Sequence, residues 1–120
     1  MENDNYNKRR VGAKIETYAA RKLSSLGYEI VDRNFYCRHG EIDLIAKKDG
    51  YLVFIEVKYR GSTEFGLPEE AVNFRKQRKI LAAARYYLFK NKIPFDTPCR
   101  FDVVGVIRNQ ITVTENAFEG

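Results

Sequence analysis

The chain has 120 residues, of which 44% are hydrophobic and 31% are charged, and its formal net charge is +5 at pH 7. These values predict one folded domain over residues 1–120 with a modest core, and they exclude a wholly disordered chain. Residues 1–10 are polar, and no apolar run approaches the roughly 18 residues of a membrane span, so we expect a cytoplasmic protein without a membrane partner. The positive charge favours an anionic partner, which it does not identify.

The cysteines and the histidine do not form a metal-binding pattern. Cys37 and Cys99 are far apart in the sequence, no Cys-x-x-Cys occurs, and His39 is the only histidine. Zinc sites need closely spaced groups of such ligands. We therefore expect two reduced thiols and no zinc centre.

The order of the elements predicts an α/β domain with a mixed central sheet flanked by helices. Gly27 ends the first helix, which a flexible tail over residues 1–7 precedes, and Asp49-Gly50 is a strong hairpin signal. Pro68 suits the first turn of a second helix, whose continuity near Asn73 the sequence leaves open. The predicted elements are a helix at residues 8–26, strands at 28–36, 41–47 and 51–59, a helix at 68–90, and strands at 101–107 and 111–114.

Charged residues at the ends of two neighbouring strands are the most informative feature. In the strand at 51–59, Glu56 and Lys58 share one face with Leu52 and Phe54, because strand side chains alternate. The tight hairpin places Asp43 of the preceding strand directly opposite Glu56, with Ile42 and Leu44 on the other face of that strand. Two carboxylates so close repel each other unless a positive group lies between them.

A divalent cation such as magnesium would relieve that repulsion, since it prefers oxygen ligands. It could also generate a nucleophile from bound water, while Lys58 orients the water or neutralises charge on a phosphate. The spacing therefore favours a metal site that hydrolyses a nucleic-acid phosphodiester. A structural ion pair of Asp43 or Glu56 with Lys58 is the alternative that the spacing leaves open.

Glu16 is a candidate further ligand of this site. It lies at the border of the apolar stripe of the first helix, from which a carboxylate can reach over the edge of the sheet. An ordinary exposed glutamate is the alternative reading of the same position.

A basic cluster on the second helix is a candidate nucleic-acid contact. Spacing of three and four residues places Arg75, Arg78 and Lys79 on one face, where they can contact phosphates. Gln77 is the neutral member and could bond a phosphate or water. A solvated helix face is the alternative. The predicted nucleic-acid contacts are Arg60, Arg75, Lys76, Arg78 and Lys79.

Two motifs together resemble the PD-(D/E)xK nuclease signature. They are Gly-Glu-Ile-Asp-Leu-Ile-Ala at residues 40–46 and Phe-Ile-Glu-Val-Lys-Tyr-Arg at residues 54–60. The wider chain, from about Gly12 to Val106, resembles the bacterial YraN-type family, which is similar to archaeal Holliday-junction resolvases. Further matching positions are Glu16, Ala19, residues 26–28, Asn34, residues 70–72, residues 79–80 and residues 100–104. Ile42 replaces the proline of the signature's name, which is dispensable in the superfamily.

The resemblance implies a restriction-endonuclease-like fold with a magnesium or manganese site. By position, Asp43 and Glu56 would be metal ligands and Glu16 the helix carboxylate. Lys58 would be the catalytic lysine, and Gln77 the helix glutamine seen in some relatives. Resolvase-like relatives often act as dimers, so the resemblance allows a homodimer, although no residue marks a dimer face.

The function most favoured is a metal-dependent endonuclease acting on DNA, with branched or recombination-intermediate DNA as one substrate class. A non-catalytic nucleic-acid-binding module with the same fold is the first alternative. A protein-interaction subunit with a structural ion pair is the second. The residues alone do not decide whether the chain is catalytically active.

Overall fold

In a computed structural model the backbone is described for residues 4–60 and 72–119, and the side chains for residues 12–59 and 72–119. The elements in these ranges are α1 (Asp4–Ser25), β1 (Glu29–Cys37), β2 (Gly40–Lys48), β3 (Tyr51–Arg60), α2 (Phe74–Lys90), β4 (Cys99–Ile107) and β5 (Gln110–Phe118). The strands form one sheet in the order β1-β2-β3-β4-β5. Among the described strands, β3 and β4 alone pair in parallel, which confirms the predicted mixed sheet and agrees with a restriction-endonuclease-like fold.

The two helices cover opposite faces of the sheet. Ala19 and Leu23 of α1 pack in one core with Val53 and Ile55, which lie on one face of β3. The other face of β3 belongs to a second core with α2, whose buried members include Ile80, Ala84, Tyr87 and Leu88 as predicted. The continuous apolar run of β3 follows from this burial on both faces.

Helix α1 begins at Asp4, earlier than the predicted residue 8, so residues 4–7 are helical. These residues contain no glycine or proline and continue into a basic stretch of good helix formers, so nothing in them ends the helix. They carry no apolar periodicity, which is why the pattern missed them. Gly27, with φ of +97°, ends the helix as predicted. Residues 1–3 lie outside the described residues.

Helix α2 begins at Phe74, and Asn73 is its N-cap. The Asn73 side chain accepts a hydrogen bond from the backbone N–H of Lys76 at 2.9 Å. This cap accounts for the interruption near Asn73 that the sequence left open. The predicted helical residues 68–71 lie outside the described residues.

Strand β5 is longer than the predicted residues 111–114. The register of β4 and β5 shifts between Phe101 and Val103, where the Asp102 side chain accepts a hydrogen bond from the Asn116 N–H at 2.9 Å. Phe118 then stacks on Phe101, with ring centroids 5.2 Å apart. The Asp102 side chain of β4 therefore bridges the register shift, and the pairing of β4 with β5 continues to Phe118. Turn residues and alternation alone did not predict this longer pairing.

The described part of the chain has no helix with the length and apolar character needed to cross a membrane. Cys37 and Cys99 are both free and half-buried, in agreement with the sequence. Burial raises the pKa of the Cys99 thiol, which favours its protonated form.

Candidate functional site

The hairpin of β2 and β3 brings Asp43 to Glu56. The ladder runs from Lys48 opposite Tyr51 to Leu44 opposite Ile55, the register predicted from the turn. Beyond that last pair a side chain replaces the backbone as hydrogen-bond acceptor, because Asp43 Oδ2 accepts a hydrogen bond from the Val57 N–H at 2.8 Å. The carboxylate is thereby fixed at the point where the regular pairing of the two strands stops.

The alternation of β2 breaks at the same residue. Ile42 packs in the core with α2, whereas Leu44 packs in the core with α1, so the expectation that they share a face is wrong. The neighbouring strand β1 shows a matching change at Asn34, which adopts a φ of +52°. Phe35 beyond it joins the α2 core, and Arg33 before it bonds to Thr17 of α1. The left-handed residue in β1 is the physical reason, because it rotates the strand pair locally.

Asp43 is the most perturbed carboxyl group of this region. Burial raises its pKa most, the neighbouring Glu56 charge raises it further, and the hydrogen bond from the Val57 N–H opposes both. The result is a pKa of about 8, against an ordinary value of 3.8. The predicted closeness of the two carboxylates is therefore confirmed, together with the electrostatic cost that was expected of it.

Glu56 is buried and lies between two ammonium groups. Its side chain is 4% exposed, and its Oε2 is 2.7 Å from Lys76 Nζ and 3.3 Å from Lys58 Nζ. Burial lowers the pKa of Lys76, but the hydrogen bond and charge of Glu56 outweigh this effect and raise it overall. The buried carboxylate of Glu56 is therefore paired with a cation from its own strand and with a second cation from α2.

Lys76 makes a contact that the sequence did not predict, since its ammonium pairs with the buried Glu56. Its predicted contact with nucleic acid stays a prediction. A signal was available, because Lys76 lies four residues before Ile80 and therefore one turn along the buried stripe of α2. A lysine at the end of an apolar stripe can reach a carboxylate that the sheet presents to that helix.

Glu16 approaches the site from the opposite helix. Burial raises its pKa, Arg33 and a hydrogen bond from Asn34 lower it, and the charges of Glu41 and Glu56 raise it again. Its charge also acts on Asp43. The charge of Glu16 thus acts on the carboxylate pair, but across the described residues no three Asp, Glu, His or Cys side chains converge closely enough to enclose a metal ion.

Gln77 does not join the carboxylates in this conformation. Its Nε2 donates a hydrogen bond to the Val72 carbonyl oxygen at 3.0 Å, which fixes the chain just before α2. Its role toward a phosphate or water therefore stays a prediction. The side chain of Arg60 lies outside the described residues.

A surface cleft of about 360 Å³ lies along the basic face of α2 and includes Lys76, the ion-pair partner of Glu56. Gly40 forms its floor beside the helix, since a Cβ at Gly40 would lie 3.3 Å from the Cβ of Lys79. Lys76 belongs both to this cleft and to the ion pair with Glu56. The lining residues are Gly40, Glu41, Asn73, Arg75, Lys76, Lys79 and Ile80.

Comparison with known proteins gives one consistent result. A family profile described as "Uncharacterised protein family UPF0102" matches residues 15–106. A UPF0102 protein of Lachnoclostridium phytofermentans is 52% identical, over 94% of this chain and 96% of the relative. A UPF0102 protein of Persephonella marina is 42% identical, over 90% of this chain and 92% of the relative. A third, from Clostridium botulinum strain 657, is 45% identical, over 91% of this chain and 94% of the relative.

Proposed function

This chain belongs to the uncharacterised protein family UPF0102, and we propose that it is a metal-dependent nuclease that hydrolyses phosphodiester bonds of DNA, with branched or recombination-intermediate DNA among its substrates. The observation that carries the proposal is the strand-end pair Asp43 and Glu56, with Lys58 at 3.3 Å from Glu56. Strand pairs rarely retain mutually repelling carboxylates without a functional reason.

The carboxylate pair suits Mg²⁺ or Mn²⁺. Magnesium is commonly bound by one or two carboxylates, with waters and substrate phosphates completing its coordination. Asp43 and Glu56 would hold the ion, and Glu16 is the candidate third carboxylate. The bound ion would polarise the phosphate and lower the pKa of a water. A divalent charge would also offset the repulsion that raises the pKa of Asp43.

The cationic side chains support the reaction from the other side. Lys58 is held in place by Glu56 and can donate to a phosphate oxygen or orient a water. Arg75 and Lys79 line the adjoining cleft, where they can bind the phosphates on either side of the reacting one. Positioning a substrate in this way is itself a large part of phosphoryl-transfer catalysis.

A non-catalytic DNA-binding module is the second candidate. The observation that favours it is the 2.7 Å contact between Lys76 and Glu56, which already supplies this carboxylate with a cation. Such a protein would bind DNA through the same basic face without hydrolysing it. Metal binding and turnover separate the two candidates.

The deciding experiment is a calorimetric titration of Mg²⁺ and Mn²⁺ into the wild-type protein, followed by cleavage assays on single-stranded, duplex and four-way-junction DNA. Asp43→Asn should abolish metal binding and cleavage, and Lys58→Met should abolish cleavage alone. Asp49→Asn is the matched control, because Asp49 is an exposed aspartate in the turn of the same hairpin. Cleavage that survives in Asp43→Asn and Lys58→Met would refute the nuclease, and DNA binding without metal binding would establish the second candidate.

A further inference from the structure

We propose that the preferred substrate carries an unpaired nucleotide beside the cut phosphate, and that its base stacks on Phe74 in a second cleft next to the site. The inference deepens the proposed function and rests on it for the chemistry. Its own evidence is the surface around the first turn of α2.

A second surface cleft, of about 530 Å³, follows the first along α2. Arg75 and Lys79 line both clefts, so the two adjoin, and Lys76 of the first cleft contacts the buried Glu56. Both volumes fall within the range of about 300–1,000 Å³ typical of ligand clefts. The second cleft is lined by His39, Phe74, Arg75, Arg78, Lys79 and Ala82.

Phe74 presents an aromatic face in this cleft. Its side chain is 69% exposed, although a phenylalanine gains free energy from burial. The guanidinium of Arg78 lies over the ring, with its Cζ 5.7 Å from the ring centroid. An aromatic ring beside an arginine is the arrangement on which proteins stack the bases of single strands.

Aromatic rings continue along the same side of α2. The ring of His39 lies 6.1 Å from that of Tyr86, and Tyr86 lies 6.3 Å from Phe89. Phe89 is 68% exposed. Successive bases of a strand leaving the second cleft would therefore meet further aromatic side chains.

Charge and shape both favour an unpaired nucleotide as the occupant. Among the described residues that line the second cleft, Arg75, Arg78 and Lys79 are cationic and none is acidic, which complements a phosphate backbone. A paired base shows only its edges in the grooves, so its face is not available for stacking. Junctions, flaps and single-stranded ends offer such faces at the point where strands separate.

The test measures binding to two fluorescein-labelled probes, an oligothymidylate and a blunt-ended duplex of two fully complementary strands, by anisotropy in EDTA. Phe74→Leu keeps apolar bulk and removes the aromatic face. Phe95→Leu is the matched control, since Phe95 is also 69% exposed but lies in the loop after α2. We expect Phe74→Leu to weaken oligothymidylate binding by about five- to hundredfold, the equivalent of one stacked base. Duplex binding and both melting temperatures should stay at wild-type values.

The outcomes separate this inference from the nuclease proposal. Equal weakening of both probes, or wild-type binding of oligothymidylate by Phe74→Leu, would overturn the stacking site while leaving Asp43-dependent cleavage unaffected. A wild-type protein that binds neither probe would overturn the stacking site, while the cleavage assays with Mg²⁺ and Mn²⁺ would still decide the nuclease proposal. Selective loss that Phe95→Leu does not reproduce would establish Phe74 as a determinant of substrate class.

Discussion

Asp43 and Asp102 are two strand carboxylates that the fold removes from water in different ways. Asp102 is 1% exposed and accepts hydrogen bonds from Arg100, Tyr28 and the Asn116 N–H, at distances of 2.7–3.0 Å. Asp43 accepts one backbone N–H and faces the like charge of Glu56. Full pairing marks Asp102 as structural, whereas burial and the like charge of Glu56 raise the pKa of Asp43, which is typical of a functional site.

The raised pKa of Asp43 makes stability depend on pH. Because the folded-state pKa of about 8 exceeds the ordinary value of 3.8, the folded protein binds the proton more tightly than the unfolded chain. This contribution is complete below pH 3.8 and is lost as the pH rises through about 8. We expect the metal-free unfolding free energy to fall across this window in urea titrations, and Asp43→Asn to flatten the fall. A slope that Asp43→Asn leaves as steep as in Asp49→Asn would contradict this origin.

The same protonation predicts the pH dependence of metal binding. A cation must displace the proton of Asp43, so its affinity should increase as the pH rises toward about 8. Calorimetry in buffers of different ionisation enthalpy would report the proton released. Magnesium affinity that stays constant over this range would show that Asp43 is not a ligand.

Lys76 should compete with the metal for Glu56. Replacing it by methionine removes the ammonium 2.7 Å from Glu56 Oε2, so this oxygen no longer pairs with Lys76 and is available as a ligand for a divalent cation. We expect Lys76→Met to tighten Mg²⁺ binding on the order of tenfold, or about 1.4 kcal/mol, and to lower stability in EDTA. Lys79→Met is the control, because Lys79 is an exposed lysine of the same helix. Equal Mg²⁺ affinities in both variants would exclude the competition.

At the scale of elements, the sequence predicted the hairpin and its register because Asp49-Gly50 and the apolar run of β3 are local signals. It did not predict the change of face at Asp43, which depends on the left-handed Asn34 in a different strand. The contact of Lys76 with Glu56 was missed for a similar reason. Its geometry depends on how α2 lies on the sheet, which no spacing within one element determines.

The N-cap of α2 supports the site at this scale. Asn73 fixes the helix turn that carries Lys76, through its hydrogen bond to the Lys76 N–H. Asn73→Ala should lower the unfolding free energy by about 1 kcal/mol, whereas Asn73→Asp keeps the acceptor and should stay near the wild-type value. Urea unfolding measures both. Equal losses in the two variants would show that the cap is not the source of the effect.

At the scale of the molecule, the sheet separates two helices whose polar residues meet again at one end of β2 and β3. Glu16 comes from α1 and Lys76 from α2, and the charges of both act on the pair Asp43 and Glu56. The α/β class and the strand-end location followed from the sequence. The meeting of both helices over the strand ends required the packed layers.

For the proposed function, the net charge of +5 leaves open which surface would bind DNA, and salt dependence can locate it. Each lost phosphate contact should reduce the slope of log affinity against log salt by about 0.9 on duplex DNA. The triple variant Arg75→Gln, Arg78→Gln, Lys79→Gln removes up to three such contacts, so it should reduce the slope by up to about 2.7. A matched triple on α1 removes the same charge from exposed positions on the other layer: Lys14→Gln, Arg21→Gln and Lys22→Gln. Slopes measured by anisotropy should fall in the first variant alone, and an equal fall in both would mean that overall charge, not the α2 face, drives binding.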